Sequence, residues 1–131
     1  MIIKVIPDKE KVKSILNLIN ARENFVSLID AEKFSTIVAE NYYEILKELA
    51  TAMLLLDGLK TTGENAHKDL IDYLSRYGFK EDEVMLMNDL RIKRNKSSYE
   101  GKQVDKIYIQ TKKDKFLDLI NKLKEIINKK I

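Results

Sequence analysis

Residues 34–58, FSTIVAENYYEILKELATAMLLLDG, decide the fold. Phe34, Ile37, Val38, Tyr42, Ile45, Leu46, Leu49, Met53 and Leu56 recur at spacings of three and four, which stack side chains along one helix face. The spacing predicts a long helix that carries most of the core and stops at Asp57-Gly58.

On the N-terminal side, Pro7 and Asp8 open an earlier helix, with Asp8 as N-cap and Val12, Ile15, Leu16 and Ile19 on its buried face. The pattern loosens at NARENF, residues 20–25, so this is either one helix with a weak middle or two pieces. Ser27 and Asp30 have capping-box spacing and are expected to start the next helix. On the C-terminal side, TTGEN is a turn in which Thr61 and Glu64 repeat that spacing. Ala66, Leu70, Ile71 and Leu74 then face inward on a third helix closed by Gly78. A fourth helix begins at the acidic residues 81–83 and buries Val84, Leu86, Met87 and Leu90. Residues 100–108 show no helical period, and VDKIYI reads as a short extended run. Thr111 and Asp114 form a further capping-type pair before Phe116, Leu119, Ile120, Leu123 and Ile127. Strand-type alternation is nearly absent. These readings give an all-α fold, a compact antiparallel helical bundle of about five helices in a single domain over residues 1–131.

There is no cysteine, which removes disulfides, thiolate catalysis and cysteine-ligated zinc and fits a reducing compartment. The apolar runs are far short of the ~20 residues of a membrane span, and no signal peptide is visible, so a cytoplasmic protein without membrane association is expected. Gly-rich phosphate loops and H-E-x-x-H are missing, and with one histidine a His-based metal site is not expected, nor is a cofactor. The net charge of +3 is unevenly placed. Residues 1–90 hold 11 Lys/Arg against 16 Asp/Glu, net −5, and residues 91–131 hold 13 against 5, net +8. A basic sector of this kind attracts a polyanion, and it can equally pair with the acidic part of its own chain.

The basic sector opens with DLRIKRNKSSYEG, residues 89–101. On a helix Arg91, Arg94, Asn95 and Ser98 fall at i, i+3, i+4 and i+7, so two guanidinium forks, an amide and a hydroxyl share one stripe. Such forks match phosphate oxygens, and Tyr99 near the helix end can stack on a base. The alternative is a solvated face, or arginines paired with Asp89 and other acids. His67, the sole histidine, is either a general base reaching the stripe from the third helix or a capping, partly buried structural residue. The pairs Glu44 with Glu48 and Asp69 with Asp72 read as solvated helix faces and not as acid–base pairs.

The arrangement of LRIKRNKSSYEG after ENAHKDLIDYL resembles the HEPN family, whose helical bundle carries an arginine-asparagine pair followed by a histidine, R-x(4 to 6)-H, near the end of a late helix. Arg94 and Asn95 fall on the pair, and the resemblance runs from about Tyr42 to the C-terminus. It implies a homodimer with two motifs facing a shared basic cleft. Many members are metal-independent ribonucleases, often toxins encoded with a minimal nucleotidyltransferase; others bind nucleotides or are inactive. It implies phosphate binding for Arg94, while Tyr99 stands five residues on, within the span where the family has its histidine. A histidine titrates near neutrality and a phenol ordinarily does not, so this departure removes a proton-transfer step typically worth about 10²- to 10⁴-fold. Some members carry a nucleotidylated tyrosine two residues beyond the histidine, and Gly101 occupies that place here.

Three functions follow as expectations. The first is a non-catalytic or weakly catalytic domain binding RNA or a nucleotide through Arg91, Arg94, Asn95, Ser98 and Tyr99. The second is a ribonuclease toxin in which Arg94 works with Tyr99 or His67. The third is a non-enzymatic protein-interaction module.

Overall fold

The computed structural model describes residues 1–131. Asp8 accepts a hydrogen bond from the Lys11 N–H at 3.0 Å and caps α1, Lys9–Leu28. The helix is unbroken through residues 20–25. Ile19 and Val26, two turns apart, are both buried, and Arg22 between them bonds Glu48 of the next helix at 3.2 and 3.3 Å. Ser27 does not start that helix. Its hydroxyl donates to the Asn24 carbonyl in the last turn of α1, while Asp30 accepts from the Glu32 and Lys33 N–H groups and closes the connecting turn.

Helix α2, Ser35–Leu56, is the axis of the molecule, since α1, α3, α4 and α5 all pack on it. Residues off the predicted stripe, among them Ala39, Tyr43, Ala50, Ala52 and Leu54, are therefore buried as well, as befits a helix enclosed on most sides. Two expected core residues are not: Phe34 and Ile37 are exposed at the end of the bundle. There the first turn of α2 spends Ser35 and Thr36 on the backbone of Val104 at 2.6 and 2.8 Å.

After α2 the chain makes a strand that the sequence reading did not anticipate. Leu59–Thr61 (β2) pairs antiparallel with Ile2–Lys4 (β1). Three residues are too few to display an alternation, so the pattern was silent. Gly58 admits this crossing: its φ is +71°, and a Cβ there would lie 2.8 Å from the Val5 carbonyl oxygen. With Thr61 in the strand, the N-cap of α3, Ala66–Tyr73, is Asn65. A 3₁₀ turn, Leu74–Tyr77, ends at Gly78 in the left-handed region, as expected.

Helix α4, Glu81–Glu100, begins where Glu83 accepts from the Lys80 N–H at 2.8 Å and ends at Gly101, φ +66°. The extended reading of VDKIYI fails beyond Asp105. Asp105 accepts from the Ile107 N–H at 2.9 Å and starts α5, Lys106–Lys130, with Ile109 buried seven residues before Phe116. Thr111 lies inside α5 and bonds back to the Ile107 carbonyl. A single apolar core of 27 buried residues joins the five helices, and no helix is long and apolar enough to cross a membrane.

Candidate functional site

Met87 and Leu90 sink the middle of α4 into the core, and the residues that follow at helical spacing emerge beside α3. The result is a groove of about 330 Å³. Residues 63–68, the turn before α3 and its first residues, form one wall; Arg91, Arg94, Asn95 and Tyr99 form the other. Five residues picked out in sequence therefore meet across two elements: the four from α4, and His67 from α3. Ser98 does not join them; it is exposed and lies outside the lining.

Each arginine is held from behind. Arg91 Nε donates to Asn88 Oδ1 at 3.1 Å, and Asn88 Nδ2 donates to Asp72 Oδ1 at 2.7 Å. Asp72 also pairs with Lys68 at 2.6 Å. Burial alone would raise the Asp72 pKa, but the bonds from Lys68 and Asn88 and the charges of Lys68 and Arg91 outweigh it and hold the carboxyl below its usual range. Arg94 Nη2 reaches Glu44 Oε1 at 3.4 Å, its guanidinium lies 5.7 Å from the centre of the Tyr43 ring, and Glu44 pairs with Lys47 at 2.9 Å. Neither arginine pairs with Asp89. The acids expected on solvated faces instead bridge elements: Glu44 to Arg94, Glu48 to Arg22, and Asp72 to Asn88. Asp69, from the same expectation, meets the N-terminal ammonium group.

His67 is exposed on the groove, with its ring 6.4 Å from that of Tyr43. It does not cap α3. The packed part of its ring lowers its pKa first, followed by Lys47 and Arg94; Glu44 opposes and Arg91 adds to the lowering. At neutral pH it is therefore uncharged and able to accept a proton. Tyr99, 79% exposed, stands at the outer end. Tyr43 lies off the stripe predicted for α2, is only 1% exposed and is flanked by Arg94 and His67. Its hydroxyl has no hydrogen-bond partner, and burial, opposed by Arg91 and Arg94, pushes its pKa up to about 12.

Two facts set this groove apart. A larger groove, about 510 Å³ between α4 and α5, is lined by Asp82, Glu83, Asp89 and Asp118 beside only two lysines, and so repels anions. Much of the basic charge of α5 is neutralised within the fold, where Lys106, Lys122, Lys124 and Lys130 meet Glu32, Glu83, Glu23 and Asp57. The α3–α4 groove keeps two arginines on a rigid wall, with Lys68, Glu64 and an uncharged imidazole opposite, and guanidinium forks so held can receive an anion. No protein-family model, curated protein or solved structure matches the chain.

Proposed function

We propose that the chain is a HEPN-like domain that binds RNA or a nucleotide in the α3–α4 groove, without turnover or with weak turnover. The observation that carries this reading is the meeting of Arg91, Arg94, Asn95 and Tyr99 with His67 in one donor-rich groove. Arg91 and Arg94 hold phosphate, Asn95 supplies further hydrogen bonds, and the exposed Tyr99 ring offers a stacking surface to a base. The test is binding of a mixed-sequence RNA across a salt series by the parent and by Arg94→Ala. Loss of one phosphate contact weakens binding at every sequence and shallows the salt slope by about one unit. Equal affinity and equal slope in the two proteins would sink the reading.

The placement of His67 favours one second reading, a metal-independent ribonuclease in which His67 takes the proton of a 2′-hydroxyl, that oxygen bonds the phosphorus held by Arg94 to give a 2′,3′-cyclic phosphate, and the P–O5′ bond breaks with the 5′-oxygen taking a proton from water. It predicts RNA cleavage in chelator that disappears in both Arg94→Ala and His67→Ala; intact RNA at high protein concentration rejects it. Under either reading the family resemblance adds a cytoplasmic homodimer, and under the second a minimal nucleotidyltransferase partner.

A further inference from the structure

Resting on the reading of the groove as an RNA or nucleotide site, we infer that its inner end is a seat for a phosphomonoester, the terminal phosphate of a nucleotide or RNA end, and not for an internal phosphodiester. Three observations converge on this. The first is at the start of α3. Ala66 N–H bonds Gly63 and Asp69 N–H bonds Asn65, but the N–H groups of His67 and Lys68 between them have no backbone partner, and the Asn65 side chain does not cap them. These two free donors sit at the positive end of a helix, on the wall that faces the arginines. The second is the guanidinium of Arg91. Its Nε is committed to Asn88, which fixes the fork and leaves its terminal N–H groups without a partner.

The third is Tyr43, almost fully buried and packed between Arg94 and His67, with a hydroxyl that lacks any acceptor. Tyr43 lies behind Arg94 and His67 and outside the groove lining, so its hydroxyl meets a ligand oxygen only when those side chains shift; the lining itself sets Lys68, Arg91 and Arg94 against one carboxylate, Glu64. A phosphodiester offers two free oxygens and one negative charge. A phosphomonoester offers three oxygens and a charge of about −1.5 to −2 at pH 7, which suits donors arriving from opposed walls. The size of the groove agrees: 330 Å³ lies at the low end of small-ligand sites and fits one nucleotide better than a strand lying across it. Glu44, from α2 behind the groove, competes with an anion for Arg94. Its contact is long, 3.4 Å, and shared with Lys47, so a dianion displaces it readily.

The test uses the full chain and a short single-stranded RNA labelled at its 3′ end, with either a 5′-phosphate or a 5′-hydroxyl. Adenosine 5′-monophosphate and adenosine serve as competitors. The inference expects the phosphorylated RNA to bind ~10-fold or more tightly than its hydroxyl twin. That preference disappears in Arg91→Ala and Arg94→Ala, shrinks in Tyr43→Phe, and grows in Glu44→Gln, which removes the competing carboxylate without removing a donor. Displacement by the monophosphate but not by adenosine identifies a free nucleotide as sufficient; displacement by neither, with the 5′-phosphate preference intact, identifies the RNA end. Equal binding of the two RNAs, still dependent on Arg94, overturns the phosphomonoester seat and leaves the RNA-binding function standing. Binding that ignores Arg94 altogether overturns both.

Discussion

At the scale of single residues, Tyr43 connects stability to the site. A buried hydroxyl without a partner costs the fold about 1–3 kcal/mol, and phenylalanine keeps the ring against Arg94 and His67. Tyr43→Phe should therefore stabilise the free protein by about 1 kcal/mol in urea unfolding while weakening ligand binding. A loss of stability would mean that the hydroxyl is satisfied in solution. A second pair of substitutions separates buried from exposed positions on α2. Leu49→Ala, at a fully buried site facing the core, should cost about 2–5 kcal/mol, and Ile37→Ala, 48% exposed, about 0.5 kcal/mol or less. Spacing alone placed Leu49 and Ile37 on one stripe. It made Arg91, Arg94 and Asn95 legible as a stripe and Tyr99 as a residue at the helix end, because those positions depend on one helix. It did not give Tyr43 or Glu44, whose roles depend on which neighbours surround α2.

Among the elements, the long helices were legible and their ends less so. A helix interior repeats its signal over many residues, while a boundary rests on one or two side chains whose capping partners are interchangeable in sequence. The start of α5 shows the consequence. Thr111 and Asp114 satisfy a cap spacing and yet lie in the helix interior, whereas Asp105 makes the bond. Asp105→Ala should destabilise the protein by about 1 kcal/mol in thermal or urea unfolding, and Thr111→Ala should stay within about 0.5 kcal/mol. The reverse order of effects would return the boundary to Thr111. The β1–β2 pair is illegible in the sequence for a different reason. Its pairing joins residues about sixty positions apart, and its local requirement reduces to Gly58.

For the whole molecule, the acidic first part and the basic last part of the chain close on one another across α5, and this ties stability to pH. Burial alone would raise the pKa of Glu83 and Asp57. Lys122 and the Lys80 N–H hold Glu83 below its usual range, and the Tyr77 hydroxyl with Lys130 does the same for Asp57. Asp72 is lowered as well, within the site. A carboxylate whose pKa is lower folded than unfolded stabilises the protein fully above its unfolded value, near pH 4, and loses that contribution as pH falls through the folded value. His67 acts earlier. Its folded pKa is depressed, so below about pH 6.5 the unfolded chain binds a proton that the folded chain refuses, and stability declines until the folded value is reached. Melting temperature should thus hold steady from pH 8 to 7, fall slightly as pH drops below about 6.5, and fall steeply below pH 4. His67→Gln should remove the first decline alone, and Glu83→Gln should flatten part of the second. Because these pairs are partly solvated, each carboxylate is worth about 1 kcal/mol or less, and 1 M salt should diminish the acid-limb difference between Glu83→Gln and the parent. An acid limb that is the same in Glu83→Gln and the parent at low salt would show that the Glu83–Lys122 bridge between α4 and α5 contributes nothing to holding the two helices together.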